Sequence, residues 1–271
     1  MAPRAPNGGA RNFWTRIASA AVLAPIAIGA IWLGSPWFDL MVIAASAALA
    51  WEWAKLCRYG RFEGRDWPFV SAVAGVVLLP ALGVSVLLAL LLAFALAGAW
   101  LFGGLAASAE ASGWRSAGLL LIALGGIALL TIRSGGQGLH ATIWVFLVTW
   151  AVDTGGYLVG RVSGGPKLAP RISPKKTWSG LAGGLLAAIA VGVAYPYGVA
   201  ATAISAATTA VLVGGAAVIG DLFESAAKRR FGLKDSSALI PGHGGLLDRV
   251  DGLLLAAPAT ALLLSESWRW G

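Results

Sequence analysis

A chain of 271 residues that is 58% hydrophobic and only 12% charged, with mean hydropathy +0.78, carries about half the ~25% charge of an ordinary soluble domain. The deficit is spread over many segments, so lipid is the solvent for most of the chain, and the expected fold is an all-α polytopic transmembrane bundle. The net charge of +8 reads as cytoplasmic loops meeting anionic headgroups, not as nucleic-acid binding, and the lone Cys57 excludes an intramolecular disulfide or a multi-cysteine metal site.

In chain order, residues 1–13, with Pro3, Pro6 and Gly8-Gly9, are expected to form a disordered cytoplasmic N-terminus. The apolar run from Trp14 to Leu33 follows Arg4, Arg11 and Arg16. Its length, and the second apolar run beyond Gly34-Ser35-Pro36, make it an uncleaved first span rather than a signal peptide. Nine candidate spans lie at about 14–33, 38–56, 68–83, 84–104, 117–132, 139–160, 180–197, 198–220 and 247–265, each near the ~20 apolar residues a crossing needs. Spans three and four are separated only by Pro80 and Gly83, and read either as a tight hairpin or as one broken segment. With the N-terminus inside, the inner loops hold eighteen of the twenty Lys and Arg, leaving Arg133 and Arg269 outside. The reverse orientation would invert that bias, so the N-terminus is placed in the cytoplasm. Residues 14–135 form an N-terminal set of helices with little that is chemical; residues 136–271 form a C-terminal catalytic region interrupted by carboxylates, lysines and Gly-rich turns.

Four stretches carry candidate chemistry. Trp150-Ala-Val-Asp153-Thr-Gly-Gly-Tyr157 sets a carboxylate in an apolar span, where an ionised Asp costs at least about 2.5–3.5 kcal/mol unless it faces protein, water or a cation. Asp153 is either functional or a structural cap on a helix break at Gly155-Gly156. Ser173-Pro174-Lys175-Lys176-Thr177 has a helix-start signature, with Ser as cap and Pro at the first helical position. Two lysines in a first turn oppose the helix dipole, which makes sense if a phosphate sits there; the alternative is a positive flank on lipid headgroups. From Gly220 to Arg229, helical spacing puts Asp221, Glu224, Ser225 and Lys228 on one face. A solvated helix end explains Glu224 and Arg230 more easily than Asp221.

In the fourth stretch, Lys234 to Asp251, Pro241 and the glycines at 242, 244 and 245 hold off a helix until about residue 246. Asp248 and Asp251 then share a face in the first turn of the last span, with Arg249 roughly 100° away. Their mutual repulsion calls for a counter-charge: Mg²⁺ shared with substrate phosphates, or Arg249 in an Asp-rich helix cap. His243 is a base or a turn residue. Phosphate-binding cations and metal-binding carboxylates on one membrane face are the equipment of phosphoryl or nucleotidyl transfer. No Walker loop and no Ser-His-Asp or nucleophilic-Cys arrangement stands out.

The stretch from Ser225 onward resembles the signature of the phosphatidate cytidylyltransferase family. Ser225, Lys228, Arg229, Lys234, Asp235, Ser237, Ile240, Pro241, His243, Gly244, Gly245, Asp248, Arg249 and Asp251 match in register, and the contexts of Asp153 and of Ser173–Thr177 look like upstream family features. The resemblance implies the reaction CTP + phosphatidate → CDP-diacylglycerol + pyrophosphate with Mg²⁺, and leaves room for a second metal or a monovalent cation. It implies catalytic roles for Asp153, Lys175, Lys176, Asp221, Asp248 and Asp251, with Asp221, Asp248 and Asp251 as metal ligands. Substrate binding falls to Ser173, Thr177, Ser225, Lys228, Arg229, Lys234, His243 and Arg249. The implied partners are CTP, phosphatidate and membrane lipid, with a homodimer left open. The implied location is a bacterial-type plasma (inner) membrane, active site facing the cytoplasm. Departures are Ala227 for a larger apolar residue, Ser179 where a Glu is common, and the loop Gly164-Gly165-Pro166. A related lipid kinase or a cytidylyltransferase for another lipid would use the same polar parts. An ion-coupled transporter would also use intramembrane carboxylates, with broken helices near the midplane.

Overall fold

The computed structural model of the protein describes residues 8–103, 109–196 and 202–267. Helices α1 (Gly8–Leu33), α2 (Trp37–Leu56), α3 (Trp67–Ala81), α4 (Val86–Phe102), α5 (Ala109–Ser134) and α6 (Gly138–Ser163) precede a small hairpin, β1 (Lys167–Ala169) and β2 (Ser173–Thr177). Then come α7 (Trp178–Ala194), α8 (Ala203–Arg230), the one-turn α9 (Leu247–Val250) and α10 (Leu253–Ser267). The fold is all-α, as composition dictates. Each expected apolar run overlaps a helix, the ninth being divided between α9 and α10 and runs seven and eight reaching into residues 197–201 outside the described ones; runs three and four are separate helices joined at Gly83, whose φ of +83° suits glycine. Among the described residues, three helices are long and apolar enough to cross a membrane by length and composition: Glu110–Ser134, Gly138–Ser163 and Ala203–Arg230. The expected disorder of residues 1–13 needs correction, because α1 already begins at Gly8. Residues 1–7, with Arg4, and Arg269 lie outside the described residues.

Two packing centres position the polar end. In the first, α2, α3, α4 and α10 surround α5, with Trp53, Phe69, Leu119 and Ile122 fully buried. Trp53 donates its indole N–H to the Trp114 carbonyl at 2.8 Å and stacks on Phe223 of α8 at 5.9 Å, so α2 is pinned to both halves of the chain. In the second, α6 and α7 meet along a seam of small residues. A Cβ on Gly155 would lie 2.6 Å from Ala187 Cβ, one on Gly184 2.6 Å from the Val152 carbonyl, and one on Gly180 2.8 Å from the Gly156 carbonyl. Lipid offers no hydrophobic drive for two helices to associate, so close backbone approach through small residues supplies it instead.

The helix ends alternate between two poles. At one, Arg133 of α5 donates to the Ile31 carbonyl of α1 at 2.9 Å, and His140 of α6 lies 2.6 Å from the Tyr195 hydroxyl after α7. At the other, Arg115 of α5 pairs with buried Asp66 at 2.5 Å, the hairpin closes between α6 and α7, and Arg229 of α8 reaches the Ile172 carbonyl. Lys and Arg crowd at this second pole.

Because the Val152 carbonyl is fixed in the α6 backbone, Gly184→Val should destabilise the protein by about 1–3 kcal/mol, the usual cost of overpacking. Thermal unfolding in detergent should show a lowered midpoint, whereas Gly215→Ala, with open space around it, should not lower it.

Candidate active site

Between α6, the hairpin, α7 and α8 lies a cavity of about 710 Å³ lined by Asp153, Arg161, Lys167, Lys175, Lys176 and Asp221 among others. Asp153 owes its place to an unbroken helix. α6 runs through Gly155-Gly156 to Ser163, so the alternative of Asp153 as the cap of a helix break does not hold; those glycines serve the α7 seam.

The Ser173-Pro174 stretch also departs from expectation. It is strand β2, antiparallel to β1 with Lys167 opposite Thr177 and Ala169 opposite Ser173. The helix starts only at Trp178, with Thr177 as the cap accepting the Gly180 N–H at 3.0 Å. Pairing with β1 captures the segment before a helix can begin. A strand sends successive side chains to opposite sides: Lys176 reaches Asp221 at 2.5 Å, and Lys175 stays exposed on the cavity rim. Both lysines lead into the α7 N-terminus, where free N–H groups favour an anion. Ser173 lines the same cavity. Ser179 bonds the Thr177 hydroxyl at 3.0 Å and donates to the Gly164 carbonyl, so it closes the hairpin onto α7.

Asp221 comes from α8, which continues as one helix to Arg230. Ser225, one turn on, donates to Asp221 at 3.3 Å. A solvated helix end does not describe Glu224: its side chain is fully buried, 2.5 Å from Lys228 Nζ. Next to Asp221, Gly220 has no room for a side chain, since a Cβ would lie 2.5 Å from the Asp251 carbonyl. Asp251 is thereby brought against α8 beside Asp221. Asp153 is close enough to Asp221 and Lys176, and Asp251 to Asp221 and Asp153, for their charges to be felt mutually.

Asp248 and Asp251 do not share one first turn. α9 ends at Val250, and α10 starts at Leu253 after Asp251 accepts the Gly252 N–H at 2.8 Å. A Cβ on Gly252 would lie 3.2 Å from the Ala217 carbonyl of α8 and 3.4 Å from Thr149 of α6, so this turn packs closely against both helices. The two carboxylates therefore take different partners. Asp248 accepts from Lys228 Nζ at 2.8 Å, from the Gly245 N–H at 2.9 Å and from Ser236 Oγ at 3.1 Å. Burial alone would raise it, but the Lys228 and Gly245 bonds hold it below the usual carboxylate range. Arg249 does not neutralise Asp248; it donates to the His243 carbonyl at 3.1 Å. His243 sits on the turn that Gly242 and Gly244 permit at φ of +77° and +91°, with Nδ1 2.8 Å from Ser19 Oγ. Lys234 is exposed on the loop, and Arg229 bridges the Ile172 and Leu233 carbonyls.

One residue of this region escaped the sequence reading. Glu52 of α2, fully buried, accepts the Leu246 and Leu247 N–H groups at 2.9 and 2.6 Å. A glutamate between two tryptophans in an apolar run was the available signal.

A model of the cytidylyltransferase family matches residues 14–266. The chain belongs to that family. It is 39% identical over 256 residues to the phosphatidate cytidylyltransferase of Brucella suis, covering 91% of each chain. It is 40% identical over 276 residues to that of Pseudomonas aeruginosa, covering 93% of this chain and 97% of the relative. A shorter match, 38% over 156 residues, joins it to the Staphylococcus aureus enzyme of the same name. In this family member the long matches take in the N-terminal helices as well as the polar pole.

Among the described residues no three His, Cys, Asp or Glu side chains already form a closed metal-ligand group. Mg²⁺ asks for less, because it is usually held by one or two carboxylates completed by water and substrate phosphates. Asp221 and Asp251, whose charges act on each other, are the two carboxylates to which such a role would fall.

Lys228 neutralises two carboxylates that are 0% and 9% exposed, and is itself 12% exposed. Lys228→Met should therefore cost about 3–5 kcal/mol, as when a buried ion pair loses one partner. Chemical unfolding in detergent measures it, and unchanged stability would show that these charges are solvated.

Proposed function

We propose that the protein transfers the cytidylyl group of CTP to phosphatidate, yielding CDP-diacylglycerol and pyrophosphate, at the cytoplasmic pole of a nine-span bundle in a bacterial-type plasma membrane. The observation that carries the reading is the cavity where Lys175 and Lys176 flank Asp153 and Asp221 beside Asp251. Orientation rests on the charge bias, with Lys and Arg gathered at the pole that holds the cavity. Phosphatidate presents its headgroup at that boundary and CTP reaches it from water.

Lys175, Lys176 and the α7 N-terminus bind and orient the nucleotide phosphates. Ser173 and Thr177 lie on the same wall. Asp221 and Asp251 would hold Mg²⁺, with Asp153 beside them, and Mg²⁺ would supply neutralisation of charge on the phosphates. Asp248, bound to Lys228 at 2.8 Å, anchors the turn that bears Asp251 and would be the further carboxylate available to the metal. Lys228, Arg229 and Lys234 draw anions to the pole. Ser225 orients Asp221, while His243 and Arg249 shape the turn at the lipid side. A phosphatidate oxygen attacks the α-phosphorus of CTP, a new P–O bond forms, the bond to the α–β bridging oxygen breaks, and pyrophosphate leaves.

Purified protein should carry label from α-labelled CTP into lipid when Mg²⁺ is present and not when it is chelated. Asp251→Asn should lower that transfer by roughly two orders of magnitude, the scale of several kcal/mol of lost charge stabilisation. Incorporation of γ-label instead would make it a lipid kinase, and undiminished transfer by Asp251→Asn would remove that residue from the site.

A further inference from the structure

Glu52 belongs to the N-terminal helices, apart from the cavity and its lysines, yet all its bonds go to the segment that carries Asp248. Oε1 accepts from Ser237 Oγ at 2.5 Å and from the Leu246 N–H at 2.9 Å. Oε2 accepts from the Leu247 N–H at 2.6 Å and from Ser236 Oγ at 3.4 Å. Gly245 lies so close that a Cβ would fall 2.7 Å from Oε1. The single Ser236 hydroxyl proton lies between Glu52 Oε2 and the nearer Asp248 carboxylate, 3.1 Å away, and the Ser236 N–H donates separately to Asp248 at 3.2 Å. The carboxylate thus ties down both sides of the Pro241–Gly245 turn and, through Ser236, reaches the group that holds Lys228. α2 itself is immobilised one residue later by Trp53, between Trp114 and Phe223.

We propose that Glu52 is a positioning residue for the transfer reaction: it fixes the 236–247 segment and, through Ser236, the orientation of Asp248. An N-terminal helix thereby sets the geometry of a C-terminal site. The proposal rests on the reaction given above. Its physical basis is that outer groups orienting the element that bears a metal ligand, here the turn from Asp248 to Asp251, typically change activity or metal affinity 10–100-fold.

Glu52→Gln preserves shape and separates positioning from simple packing. However the amide is turned, its NH₂ meets a backbone N–H, that of Leu246 on one side or Leu247 on the other, and neither donor can reverse. In folded full-length protein in detergent, kcat should fall by roughly 10–100-fold and the Mg²⁺ concentration for half-activation should rise. KM for phosphatidate should stay unchanged. Trypsin should cut after Lys234 and Arg249 faster than in wild type, a readout independent of activity. A residue that only fills the core would lower the unfolding temperature and leave kcat and the Mg²⁺ dependence of the folded fraction alone; that result overturns the proposal. Should Glu52→Gln fail to fold, Ser236→Ala and Ser237→Ala each remove one donor, and wild-type kcat and trypsin kinetics in both would overturn it equally. If wild-type protein makes no CDP-diacylglycerol, the reaction is wrong, while the trypsin comparison still tells whether Glu52 holds the segment.

Discussion

Carboxylates packed between apolar helices must be neutralised or hydrogen-bonded, and that constraint organises the polar pole. Asp66 is met by Arg115 and Arg58, Asp221 by Lys176, and Glu224 with Asp248 by Lys228. Glu52 is met by two backbone N–H groups and two serines. Among the described residues, no Lys or Arg pairs with Asp251 or Asp153 within ion-pair distance, and both lie beside Asp221. The negative charge left over is concentrated where three elements meet. A divalent ion shared with phosphates is the complement such a place calls for.

Small residues make the meeting possible. Gly220 lets the Asp251 backbone touch α8, Gly252 lets the turn settle against α6 and α8, and the α6–α7 glycines bring Asp153 and β2 to the same cavity. The seam thus connects helix packing to chemistry: widening it by one side chain would separate Asp153 from Lys176. The α2 anchor acts from the other side, because Glu52 and Trp53 tie the loop and α8 to the N-terminal helices.

Much of this could be read from the chain. Apolar runs marked the long helices, the charge bias marked one pole, and the family resemblance pointed to Asp221 and Asp251 together. Local rules failed where tertiary partners override them. Ser-Pro before two lysines is a sound helix start in isolation, but β1 pairs with that segment first. Asp248 and Asp251 are helically spaced, yet α9 and α10 part between them and the two carboxylates take different partners. Glu224 looked like a solvated end because nothing in the sequence shows that Asp248 returns to share its lysine. Glu52 showed only as a charge between two tryptophans in an apolar run, and its partners could not be read because they lie more than 180 residues away.

The central claim is that Asp221 of α8 and Asp251 after α9 hold one divalent ion beside the bound nucleotide. Anomalous diffraction from crystals grown with Mn²⁺ and CTP tests it directly. The account predicts a single strong peak about 2.1 Å from a carboxylate oxygen of each residue, with the α7 N-terminus facing the phosphates. A peak confined to the exposed loops, or one near Asp248 that leaves Asp221 and Asp251 untouched, would contradict it.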